Sequence, residues 1–129
     1  MSEEKSQTET IPIDLPSVME RIGGDENFLQ ELINIFIEDY IVKYAKLKLA
    51  IEQSDFPSIT KIGHSLRGSS GNLSLNGLHD VFSNIELSGK EENIEQAKLY
   101  FIKLNLEFEK LKNFLPSEKR LSIDHKWEE

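Results

Sequence analysis

An all-α fold, an antiparallel up-down four-helix bundle with a short additional N-terminal helix, is predicted by three features of this 129-residue sequence. Apolar residues recur at intervals of three and four through four long segments, and short turn-forming clusters separate them. No stretch alternates apolar and polar residues as a half-buried strand would. Amphipathic helices with short connections bury their stripes by packing antiparallel to one another.

The elements follow in chain order. "DLPSVMERIGG" reads as the short helix, with Asp14 as N-cap, Pro16 in the first turn and Gly23 at the stop. It is expected to act as a lid on the bundle. From Asp25 to about Gln53, Phe28, Leu29, Leu32, Ile33, Phe36, Ile37, Tyr40, Ile41, Tyr44, Leu47 and Ile51 form one wide apolar stripe. Ser54 or Asp55 then caps a helix with Pro57 in its first turn, running to about Leu73. A third long helix spans Asn76 to Ser88, with Leu78, Val81, Phe82 and Ile85 on one side and Gly89 as its C-terminal cap. The last runs from Asn93 to Leu115, where Pro116 stops it. The aromatic residues Phe28, Phe36, Tyr40, Tyr44, Phe82, Phe101 and Phe108 are assigned to the core. The bundle thus occupies residues 13–115, between a flexible tail at 1–12 and a frayed or weakly docked tail at 116–129 that Trp127 anchors.

Composition narrows the function. The length suits one domain. There is no cysteine, which removes disulfides, thiolate metal sites and a cysteine nucleophile. The acidic start "MSEEKSQTET" lacks the features of a secretory signal, and no apolar run is long enough to span a bilayer, so a cytoplasmic chain that does not engage membranes is expected. A net charge of -8 opposes nucleic acid. The segment "GNLSLNGL" superficially suits a helix-turn-helix, but no basic recognition helix accompanies it. No Glu-x-x-His pair of the di-iron type appears, so no metal site is expected. A monomer is the simplest assembly. His79 and His125 read as ordinary surface.

One segment resists a purely structural account. "KIGHSLRGSSGNLSLNGL" places Gly63, Gly68 and Gly71 inside a helix, around His64, and each such glycine forfeits about 0.8–1 kcal/mol relative to alanine. At about 100° per residue, Ile59, Ile62, Leu66 and Leu73 share one arc, with Ser69 and Ser70 at its edges. Arg67, Thr60, Gly71, His64, Gly68 and Lys61 fall on the opposite side. Gly63 flanks the core arc and suits close helix packing. Gly68 and Gly71, with Thr60, clear a surface beside an exposed imidazole, as the close approach of a partner would require. Lys61 and Arg67 flank the ring with positive charge suited to an anion.

"HSLRGSSGNLS" resembles the signature of histidine-containing phosphotransfer (HPt) domains, and "GGDENFLQELINIFIEDY" is similar to the opening of that family's long second helix. The resemblance covers roughly residues 13–115. It implies a phosphocarrier that relays phosphoryl groups between receiver-domain aspartates in a multistep two-component phosphorelay. His64 matches the phosphoacceptor, Arg67 the basic residue that helps hold the phosphoryl group, and Gly68 the glycine that admits the docked receiver. Arg67 stands where Lys is commoner, and Ser74 where Gly often closes the motif. The implied partners are response-regulator receiver domains and a hybrid histidine kinase, of which the chain could itself be a segment. With no Walker motif and no GxGxxG, the chain has no ATP site of its own, is not expected to be an enzyme and needs no cofactor, Mg²⁺ being expected on the receiver. An imidazole titrates near pH 6.5, so an exposed ring is substantially neutral and carries a nucleophilic lone pair at about neutral pH. The competing class is an adaptor of the same shape that docks a receiver or kinase without being phosphorylated.

Overall fold

The computed structural model describes residues 12–115 and holds five helices, with no strand among those residues. They are α1 (Leu15–Ile22), α2 (Glu26–Glu52), α3 (Phe56–Asn72), α4 (Asn76–Lys90) and α5 (Ile94–Phe114). Helices α2 to α5 form the bundle and α1 lies across one end. The expected tails, with His125 and Trp127, lie outside the described residues apart from residue 12.

Four of the five starts carry a side-chain cap. Asp14, Asp25, Asp55 and Asn93 each accept a hydrogen bond from the backbone N–H three residues later. Such a cap satisfies one of the orphan donors of the first turn and contributes about 1 kcal/mol. Leu75 stands at the N-cap of helix α4 with no side-chain cap bond, and burial of Leu75 and Leu78 anchors the helix instead.

The core is aliphatic with an aromatic seam. Ile33, Leu47, Ile59, Leu66, Phe82, Leu104 and Leu111 are fully buried. Tyr40 stacks on Phe108 at 4.1 Å between ring centroids, and Tyr44 on Phe101 at 4.9 Å, so α2 and α5 are joined ring to ring. Phe28 departs from the expected core and is 43 % exposed. It lies twelve residues before Tyr40, which at about 100° per residue turns it far from the core direction.

Helices α3 and α4 pack most extensively, through two glycines. A Cβ on Gly63 would lie 2.8 Å from the Glu86 backbone nitrogen. One on Gly89 would lie 2.7 Å from the Thr60 nitrogen. Gly89 is therefore a packing residue inside α4 and not the cap expected for it; the helix runs on to Lys90, and Glu92 beyond it takes the left-handed backbone at φ 53°. Thr60 is placed by the same contact. It is half-buried against Gly89, and its hydroxyl donates to the Phe56 carbonyl at 2.9 Å, so it takes part in the helix crossing as well as flanking the surface expected for docking.

The short helix is tied to the α3–α4 connection. The Asp14 N–H donates to the Ser74 carbonyl at 3.0 Å, and Arg21 donates to the Ser74 hydroxyl and to the Gly71 carbonyl. Ser74 itself has φ 55°, a conformation that favours glycine. Helix α1 thus docks at the end of α3, two turns beyond His64.

Candidate functional site

His64 projects from the middle of α3 with 65 % of its side chain exposed. Its neighbours come from two helices. Nδ1 lies 3.0 Å from Glu86 Oε2 on α4 and 3.2 Å from Arg67 Nη2 one turn along α3. Arg67 Nη1 is 3.1 Å from Glu86 Oε1, and Lys90 Nζ is 3.2 Å from Oε2. The Glu86 side chain is only 5 % exposed. It reaches this place because Phe82, Glu86 and Gly89, at steps of four and three, share the inward side of α4, and because Gly63 lets that helix approach closely.

A buried carboxylate needs compensating charge. Burial pulls the Glu86 pKa upward, but hydrogen bonds from Lys90 and His64 and the charges of Arg67 and Lys90 outweigh it and hold the carboxyl below the ordinary glutamate value. Glu86 is ionised at neutral pH. Its Oε1 makes no hydrogen bond of good geometry, only the ion contact with Arg67.

Those contacts choose the tautomer. A carboxylate can only accept, so the nitrogen beside it is the protonated one, and the ring lone pair is left at Nε2. Arg67 Nη2 faces the same Nδ1 and is also a donor, but the nearer, ionised Glu86 has the stronger claim. Nε2 makes no hydrogen bond among the described residues, and the side chain that carries it is largely exposed. The site offers a fixed nucleophile.

The residues selected from sequence are not all brought together. Arg67 touches the ring. Gly68 is exposed, and a Cβ placed on it would meet nothing within 4 Å, so its side of the helix is bare surface beside the imidazole. Gly71 is different: a Cβ there would lie 3.1 Å from His79 Cδ2, so this glycine makes room for a side chain of α4. Lys61 turns the other way, lining a groove of about 490 Å³ between α2 and α3 with Lys43, Lys46, Leu49 and Ile62. It makes no ion pair among the described residues, and Lys90 is the second cation of the cluster. Glu86 and Lys90 were not legible as site residues from the wheel of α3. The signal that could have found Glu86 is a lone acid between Phe82, Ile85 and Gly89 on an apolar stripe. Among the described residues no group of three His, Asp or Glu side chains is arranged to hold a metal ion, and no helix is long and apolar enough to cross a membrane.

Comparisons with known proteins bear on the family and on the fold. Residues 31–114 match the family model of the Hpt domain. The fold is similar to the histidine-containing phosphotransfer protein ZmHP2 from maize, with a TM-score of 0.72 and 19% identity over 95% of this chain and 91% of that one. It is likewise similar to MtHPt2 from Medicago truncatula, with a TM-score of 0.73 and 18% identity over 98% of this chain and 88% of that one. At such identity the two structures speak for the shared fold. No curated protein matches in sequence.

Proposed function

The chain belongs to the Hpt domain family, phosphocarriers of phosphorelay signalling that interact with receiver domains and kinases, and from that premise we propose that His64 is the residue that carries the phosphoryl group. One observation supports this most: an exposed imidazole whose Nδ1 is held by a buried carboxylate, with Nε2 free beside the bare backbone of Gly68.

The Nε2 lone pair attacks the phosphorus of a receiver's aspartyl phosphate in line. The N–P bond forms as the P–O bond to aspartate breaks, and the aspartate carboxylate departs with its electron pair. Positive charge then appears on the ring, and the Nδ1–H bond to ionised Glu86 stabilises it. Reversal on a second receiver returns the ring to its neutral state. Arg67 can turn from Glu86 toward the phosphoryl oxygens; Lys61 is the more distant cation, one turn back. Mg²⁺ and most of the electrostatic catalysis belong to the receiver's acidic pocket, and the chain contributes neither a cofactor nor an ATP site.

The test is transfer of labelled phosphate from a phosphorylated receiver, with and without Mg²⁺, to the wild-type chain and to His64→Gln. Acid-labile, alkali-stable label on the wild type and none on the variant is the expected result. Binding of a receiver without any transfer would leave the non-phosphorylated adaptor as the better account.

A further inference from the structure

The two sides of His64 differ in charge. On the α4 side, Arg67 and Lys90 are both engaged by Glu86. On the α2 side lies the groove of about 490 Å³, lined by Lys43, Lys46, Leu49, Lys61, Ile62 and Ser65 among others. Round α3 at about 100° per residue, Gly68, Lys61 and Ser65 stand about 40°, 60° and 100° from His64 in one direction, and Arg67 about 60° in the other. The bare surface beside the imidazole therefore leads into the groove. Lys43 sets the level, since its Nζ donates to the hydroxyl of Ser65, the residue after His64, at 2.6 Å and meets Asp39 at 2.9 Å.

Cations gather in this groove although the chain has a net charge of -8. Helix α3 contains Lys61 and Arg67 and no acid. Along α2 every charged residue before position 40 is acidic, namely Glu26, Glu31, Glu38 and Asp39. The remainder of α2 carries Lys43, Lys46 and Lys48, and the closing Glu52 is turned about 120° round the helix from Lys46. Asp55, the acid at the groove, is already occupied by the backbone N–H and the hydroxyl of Ser58. Lys46 and Lys61 are exposed and make no ion pair among the described residues. Val42 and Leu49, one turn before and after Lys46, are exposed as well. An acidic surface that also presents an apolar side chain complements this arrangement.

A domain that offers an aspartyl phosphate and holds Mg²⁺ has to gather carboxylates at that point, because Mg²⁺ takes oxygen ligands. On the premise that His64 carries the phosphoryl group, we propose that the α2–α3 groove is the part of the docking surface that selects the receiver. Lys46 and Lys61 meet acidic side chains at the rim of its phosphoaspartate pocket, and Val42 and Leu49 seat an apolar one. The acidic first half of α2 repels the same rim, so the receiver is held over the groove.

Transfer of label to the full chain, measured against receiver concentration at low and at high salt, tests the assignment. Lys46→Glu is expected to raise KM about tenfold at low salt with little change in the rate at saturation, and the difference shrinks as salt screens it. Leu49→Ala raises KM at both salt concentrations, because an apolar contact is not screened. Lys48→Glu makes the same change of net charge about 160° round α2 from Lys46 and leaves KM as it is. All three positions are exposed, so the fold survives. A KM that does not rise in Lys46→Glu, or that rises equally in Lys48→Glu, overturns the groove as the selecting surface while His64 keeps its role. A Leu49→Ala chain with the wild-type KM removes the apolar seat. No label on the wild type from any receiver overturns the reading of His64 and the groove's role with it.

Discussion

Glu86 lies 22 positions from His64 in the chain, yet its carboxylate is the closest hydrogen-bonding neighbour of the imidazole. A charge-assisted hydrogen bond of this kind contributes about 1.5–3 kcal/mol. If that energy is realised as charge develops on the ring, Glu86→Ala slows phosphoryl transfer by roughly ten- to a hundredfold. Glu86→Gln keeps an acceptor for Nδ1–H and loses less. The effect is expected to be specific to the ring: ¹⁵N spectra of His64 should show Nδ1–H and unprotonated Nε2 in the wild type, and a mixture of tautomers in Glu86→Ala. Acid tells the same story through stability. Because the folded-state pKa of Glu86 is lowered, its contribution is present above the ordinary glutamate pKa of about 4.3 and is lost as pH falls through the lower folded value. Wild type therefore loses more stability than Glu86→Gln as pH falls through that window, measured by urea unfolding. Gly68 offers the complementary case. Its surroundings are open, so Gly68→Gln gains up to about 0.8 kcal/mol of helix propensity while receiver-dependent transfer falls.

At the scale of elements, the α3–α4 crossing decides whether the site exists. Gly63 and Gly89 let the two backbones approach closely, and Glu86 is the residue against which Gly63 packs. Gly63→Ala places a methyl group against the α4 backbone, which does not yield as a flexible side chain would. It is expected to cost about 1–3 kcal/mol and to part Glu86 from His64, seen as lowered thermal stability together with the altered His64 ¹⁵N signals. The α3–α4 connection tests a different balance. Ser74→Gly relieves the left-handed backbone at φ 55° but removes the hydroxyl that receives Arg21 and donates to Ser17. The expected outcome is near-unchanged global stability with faster amide exchange in α1, because α1 loses its tie while the turn gains freedom.

At the scale of the whole molecule, the aromatic seam holds α2 against α5, on the side of the bundle away from α3. Phe108 is buried and stacked on Tyr40, and Phe108→Ala is expected to destabilise the chain by about 3–5 kcal/mol, measured by denaturant unfolding, without changing the His64 ¹⁵N signals in the remaining folded population. Such a separation of stability from site geometry is what a bundle permits when the core and the exposed nucleophile use different helix faces.

Helix order, the cap at Asp14, the choice of Ser54 or Asp55 as the next cap, the starts near Asp25 and Asn93, and the outward position of His64 were legible in the sequence, because capping chemistry and the 3.6-residue period are local properties of the chain. The glycines were only half legible. Gly63 read correctly as packing and Gly68 as open surface, but Gly71, Gly89 and Thr60 depend on what the neighbouring helix presents, which no wheel of a single helix contains. The same holds for the partner of the imidazole. Which carboxylate meets Nδ1, and hence where the lone pair stands, was decided only by tertiary structure, because the crossing of two helices that share no local sequence signal sets the distance between His64 and Glu86.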